Sequence, residues 1–112
     1  MKYAMLIHEK PGYVEALAED ERKAMFAEYT ALAEDPRARG SAQLQPIETA
    51  TTVRVQDGQT LTTDGPYADT KEVFAGYIVF EAENLDEAIE LAARIPAARL
   101  GGAIEVRPLV ER

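Results

Sequence analysis

The dipeptide Asp57-Gly58 stands between two runs rich in β-branched residues, Thr51-Thr52-Val53-Arg54-Val55-Gln56 and Gln59-Thr60-Leu61-Thr62-Thr63. No other feature restricts the folding of the chain as tightly. A two-residue connection between paired strands requires positive φ at both positions, and Asp-Gly tolerates it better than almost any other pair. The segment therefore reads as a β-hairpin, which commits the chain to antiparallel pairing.

The flanking segments alternate between strand and helix signals. Tyr3 to His8 alternates Tyr3, Met5 and Ile7 against Ala4, Leu6 and His8, the period of a half-buried strand, and Pro11-Gly12 ends it. A helix is predicted from about Asp20 to Glu34, with an earlier turn across Val14–Ala18. Met25, Phe26, Tyr29, Leu32 and Ala33 form its inward stripe, and Asp20 and Glu21 suit its positive end. Ser41–Ile47 reads as a second extended segment, with Pro46 fitting a strand end. After the hairpin, Val73–Ala82 is the most strand-like stretch, and Gly76 within it predicts a bulge or a close backbone approach. Asn84 with Glu87 three residues on has the capping-box pattern. The helix it opens would bury Leu85, Ala88, Ile89, Ala92 and Ile95, ending at Pro96 and Gly101-Gly102. Ala103–Val110 is the last strand.

The order is strand, helix, strand, hairpin, strand, helix, strand. Two β-α-β units around an antiparallel sheet with two helices on one face give a ferredoxin-like α+β fold. The other face of the sheet would be left open. In a chain of 112 residues its expected cover is a second copy. The expectation is a homodimer, the two sheets facing each other as a dimeric α/β-barrel and enclosing a cavity.

Composition narrows the chemistry. Net charge is −8, and no basic stripe offsets it, so neither nucleic acid nor an anionic membrane is an expected partner. No apolar run approaches the roughly 20 residues of a membrane span. The apolar start Met1–His8 is too short for a secretory leader. With no cysteine in the chain, a cytoplasmic location is the expectation. A thiolate nucleophile is impossible, a zinc site of His and Cys ligands fails on ligand count, and no glycine-rich phosphate loop or dinucleotide fingerprint occurs. Neither a metal nor a cofactor is therefore expected.

Chemistry-bearing residues concentrate in Thr63-Asp64-Gly65-Pro66-Tyr67-Ala68-Asp69-Thr70-Lys71-Glu72, between two strand-like segments. Asp64-Gly65-Pro66 is either a plain turn or the carrier of a catalytic carboxylate. His8, the one histidine, is either a strand-end packing residue or the proton carrier, with Asp64 the first partner to name. Arg54 and Lys71 are candidate anion clamps, and Tyr67, Thr70 and Glu72 candidate ligand contacts. Arg99 reads as a surface ion-pair partner of a glutamate. Tyr13, Tyr29 and Tyr77 read as core or interface aromatics.

Leu44-Gln45-Pro46, Thr52-Val53-Arg54-Val55, Thr63-Asp64-Gly65-Pro66-Tyr67, Thr70-Lys71-Glu72, Ile95-Pro96-Ala97-Ala98-Arg99 and Glu105-Val106-Arg107-Pro108 together resemble the DGPF group of YCII-related proteins. Tyr67 stands where that group's naming motif has Phe. The resemblance runs from Met1 to about Glu111 and implies a single YCII-related domain over residues 1–112 that forms a dimeric α/β-barrel. It also implies kinship with small enzymes acting on aromatic-degradation intermediates, in which a His-Asp pair is the proposed catalytic element. The reaction class that follows is a cofactor-free lyase or isomerase acting on a small molecule. The alternative implied by the group is a non-catalytic accessory or ligand-sensing role beside an extracytoplasmic-function sigma factor.

Overall fold

A computed structural model describes residues 1–64 and 72–112. Strands β1 (Lys2–Glu9), β2 (Ala38–Gln43), β5 (Val73–Glu81) and β6 (Ala103–Pro108) form one antiparallel sheet in the order β2-β5-β1-β6. β1 and β2 both pair with β5, and β5 and β6 both pair with β1, so each β-α-β unit is split by a strand of the other. That interlocking is the ferredoxin-like order. Helix α1 (Tyr13–Ala16) and helix α2 (Glu19–Ala33) follow β1, and helix α3 (Leu85–Ala93) follows β5. Among the described residues no helix is long and apolar enough to cross a membrane.

The core lies on one face of the sheet. Tyr3, Met5 and Ile7 of β1 and Ile78 and Phe80 of β5 pack beneath Leu32 of α2 and Ala88, Leu91 and Ala92 of α3, with Ile95 and Ala97 closing the end. The alternation in β1 is the predicted one, and Ala4, Leu6 and His8 occupy the opposite, half-buried face. The start of α3 also follows prediction, because Asn84 Oδ1 accepts the Glu87 N–H at 2.9 Å. The Glu87 carboxylate does not complete the box; it accepts instead from Arg37 Nη1 at 3.5 Å.

Several expectations are corrected. The inward stripe of α3 is Ala88, Leu91 and Ala92, with Ile95 buried just past its end, while Leu85 and Ile89 are about half exposed at 52% and 51%. Ala88 and Ala92 on the sheet side let the helix approach closely, and that contact sets its rotation. In α2, Met25 and Leu32 are buried, but Phe26 is 49% exposed and Ala33 is exposed. β2 starts earlier than predicted, at Ala38, and ends at Gln43. Pro46 lies beyond it and precedes a single 3-10 turn, Ile47–Thr49. β6 stops at Pro108, short of Val110.

The predicted bulge is present. The β1–β5 register shifts between Ile7 and His8, where Gly76 faces Ile7 and Phe74 faces His8. A Cβ on Gly76 would collide with the Ala42 carbonyl, so the close approach of β2 needs glycine there.

The predicted hairpin exists and stands apart. β3 (Thr51–Gln56) and β4 (Gln59–Asp64) pair with each other in a separate two-stranded sheet. Asp57 and Gly58 carry φ of 51° and 75°, as the tight turn demands. Val53, Val55 and Leu61 are 59%, 71% and 43% exposed. The radius of gyration is 16.0 Å, against about 13 Å for a compact chain of this length. A projecting ribbon accounts for that excess.

Candidate functional site

The Lys10–Gly12 turn reverses the chain at the end of β1 so that Tyr13, the first residue of α1, returns over Glu9. The Tyr13 N–H donates to the Lys10 carbonyl at 3.2 Å, and its Oη donates to Glu9 Oε1 at 3.0 Å. Arg22 of α2 holds α1 in place, its Nε donating to the Val14 carbonyl and its Nη2 to the Leu17 carbonyl at 3.3 and 3.2 Å. Beneath this bracket, on the helix side of the sheet, lies a cavity of about 600 Å³. Its walls come from the end of β1, from α1 and α2, from residues 41–48 around the end of β2, and from the bulged start of β5. The volume falls within the range of small-molecule sites.

The lining is mainly apolar, with Ile7, Met25, Phe26, Leu44, Ile47 and Ile78 among its members. Against that background stand Glu9, Tyr13 and Tyr29. Burial pushes the Glu9 carboxyl above its ordinary range; the Tyr13 hydrogen bond opposes the rise and the nearby Glu15 charge adds to it. Burial likewise pushes both the Tyr13 and the Tyr29 phenols up. The Tyr29 Oη is buried and makes no hydrogen bond of full geometry among the described residues, with the Tyr13 hydroxyl and the Ala97 backbone as its hydrogen-bonding neighbours. Tyr13 and Tyr29, core or interface aromatics by sequence, both line the cavity. Glu9 was not singled out, yet a signal existed. It continues the inward parity of Tyr3, Met5 and Ile7, and a carboxylate on a core-facing parity is anomalous.

Those residues chosen from sequence that the structure describes fall elsewhere. His8 is on the uncovered face of the sheet, and its Nε2 lies 3.3 Å from Glu105 Oε1. The register explains this neighbour: His8 faces Ala103 of β6, so Glu105 is its diagonal partner. Phe74, directly opposite on β5, brings its ring centroid to 5.6 Å from the imidazole. Glu105 thus occupies the place that the sequence reading gave to Asp64. Asp64 ends β4, exposed, paired across the hairpin with Thr51. Arg54 lies on β3 opposite Leu61, and Glu72 is exposed just before β5. Both make interactions of their own. Tyr67, Thr70 and Lys71 lie outside the described residues. Arg99 pairs with Glu28, its Nη2 at 2.7 and 2.8 Å from the two carboxylate oxygens, as its surface reading predicts. Among the described residues no group of three His, Asp or Glu side chains could hold a metal ion.

The uncovered face also carries Tyr77, 38% exposed, beside half-buried Leu6 and Val79. Two surfaces are therefore capable of function: the cavity among sheet and helices, and the mixed apolar and ionisable face around His8.

Comparison with known proteins agrees with this architecture. The family model of the YCII-related domain matches residues 1–112. An uncharacterised protein of Rhizobium meliloti (strain 1021) is 32% identical over 114 residues, covering 97% of this chain and 92% of that protein. The fold is similar to that of 5-chloro-2-hydroxyhydroquinone dehydrochlorinase from Burkholderia phenoliruptrix AC1100, solved in complex with 2,5-dihydroxybenzoquinone. The TM-score is 0.56 at 18% identity, over 100% of this chain and 96% of the other.

Proposed function

The chain belongs to the YCII-related family, and from that premise we propose that it is a cofactor-free enzyme of the lyase or isomerase type, working as a homodimer on a small oxygenated ring compound. The observation that carries this reading is the cavity of about 600 Å³, apolar on most of its wall and furnished with one carboxylate–phenol pair and a second buried phenol. An apolar site with a few convergent polar groups and a carboxyl of raised proton affinity is the usual form of a binding or catalytic pocket. The ring class is suggested by the fold relative, which is an enzyme and was solved with a hydroxylated quinone.

The homodimer is supported by the projecting hairpin and by the open face of the sheet. A lone two-stranded ribbon is marginally stable in water, and a second copy laid against the sheet would cover Tyr77, Leu6 and Val79. A second reading places chemistry on that face. His8, held by Glu105 and tilted against Phe74, would then shuttle protons inside the dimer interface. In that reading the Asp64–Glu72 segment, with Tyr67, Thr70 and Lys71, and Arg54 would supply ligand contacts. The sigma-factor alternative finds no support in the comparisons and is set aside.

Two measurements test the proposal. Titration with 2,5-dihydroxybenzoquinone, followed by amide NMR, is expected to shift Met25, Leu44 and Ile47. Ala33→Trp, which fills the cavity, is expected to abolish the shifts; shifts confined to the face around His8 would favour the second reading. Native mass spectrometry is expected to show a dimer that Leu6→Asp dissociates, and a monomeric wild type would refute the homodimer.

A further inference from the structure

Among the described residues, Glu9 is the carboxylate of the cavity wall that a side-chain hydrogen bond holds in place. Tyr13 Oη occupies Oε1. Oε2 makes no hydrogen bond to a described residue and is left for a ligand. The groups facing Glu9 are Tyr13 and Glu15 on α1 and Tyr29 on α2, with Lys10 beside it in the chain. Tyr13 donates to the carboxylate, Glu15 repels it, and the buried Tyr29 hydroxyl neighbours that of Tyr13. A carboxylate desolvated on an apolar wall is a stronger base than one in water, because its charge is less well stabilised.

We propose that Glu9 is the proton-transfer residue of the cavity, with Tyr13 as its positioning residue, and that the substrate class is a cyclic carbonyl compound with an acidic C–H beside the carbonyl. This rests on the cavity being the ligand site. In the step, Glu9 Oε2 takes a proton from the carbon next to the carbonyl. The C–H electron pair moves into the carbonyl to give an enolate. Glu9 then returns the proton to a different atom of the same framework, completing an isomerisation with no other reactant. Tyr13 keeps one oxygen engaged and leaves the other to act as the base.

The test uses 2-tetralone, a bicyclic ketone whose C1 protons exchange with D₂O, together with a carboxyl ¹³C titration of the unmodified protein. The protein is expected to accelerate C1 exchange, with a pH profile that inflects where Glu9 titrates, above the ordinary carboxylate range. Glu9→Gln should lower the rate by about 10²-fold, and Glu90→Gln, on the outer face of α3, should leave it alone. Tyr13→Phe should raise the Glu9 midpoint further, since the lost hydrogen bond favoured the charged form; a merely structural tyrosine would not move it. Exchange that survives Glu9→Gln, or a Glu9 that titrates in the ordinary carboxylate range, overturns the assignment while a bound ketone leaves the cavity reading standing. A protein that binds neither 2-tetralone nor 2,5-dihydroxybenzoquinone refutes the cavity reading and the base with it.

Discussion

Removing a single oxygen from either of two neighbouring tyrosines should move stability in opposite directions. Tyr29 Oη is buried with no hydrogen bond of full geometry among the described residues, so folding strips it of water with little compensation from the Tyr13 hydroxyl and the Ala97 backbone beside it. An unsatisfied buried polar group costs on the order of 1–3 kcal/mol, and Tyr29→Phe deletes that cost while keeping the ring against the core. Taking the lower end, the gain is about 1 kcal/mol. Unfolding entropy for a chain of 112 residues is roughly 0.24 kcal/mol per kelvin, so the melting temperature should rise by about 4 °C. Tyr13 Oη, by contrast, donates to Glu9 at 3.0 Å. Tyr13→Phe removes that bond and leaves a desolvated carboxyl without its donor, for a loss of about 1–2 kcal/mol and a fall of several degrees. The assay is urea unfolding at neutral pH with thermal melts alongside, on both variants and the parent. A drop in stability for Tyr29→Phe would refute the reasoning, because it would mean the hydroxyl has a partner worth more than its desolvation.

Other perturbations address separate parts of the molecule. Hydrogen bonds from the Arg37 side chain and backbone hold the Asp35 carboxyl at about 2, with a weaker pull from Arg94. A depressed carboxylate contributes stability that is complete above its unfolded value near 3.8 and is lost as pH falls toward the folded value. Asp35→Asn should therefore cost about 1 kcal/mol at pH 7 after discounting for solvent screening. It should cost nearly nothing at pH 2, and an equal cost at both pH values sinks the argument. Gly58→Val forces a β-branched residue onto a φ of 75°. Because the ribbon stands apart, hydrogen exchange should quicken at least tenfold across β3 and β4 and stay unchanged in β1 and β5; uniform loss of protection would contradict that separation. Leu32, 1% exposed, is surrounded by core. Leu32→Ala should cost about 3 kcal/mol, and a melting point within two degrees of the parent would place Leu32 outside the core.

Much of the fold was legible because it is written in short-range patterns. The alternation of β1, the Asp57-Gly58 turn, the Asn84 cap and the Gly76 bulge each depend on a few neighbouring residues, and each occurs where the sequence puts it. Segment order then leaves few ways to interleave two β-α-β units, and the observed strand order is one of those few. Where local pattern admits two answers, packing chose. Leu85 and Ile89 fit a helical stripe as well as Leu91 does, and only the sheet beneath α3 selects the side bearing Ala88 and Ala92.

The site was less legible. His8 and Asp64 attract attention by residue type alone, yet their partners depend on register and on where the hairpin stands. Register gave His8 to Glu105, and the hairpin left Asp64 exposed at its own end. Glu9, Tyr13 and Tyr29 look ordinary in the chain. They matter because one turn folds α1 back over β1 and a cavity remains beneath it. Sequence by itself determined the elements, their order and the family, since these follow from periodicity and turn chemistry acting over a few residues. Only the tertiary structure decided which side chains lose water together. Desolvation is set by everything that surrounds a group, and no stretch of sequence holds its own surroundings.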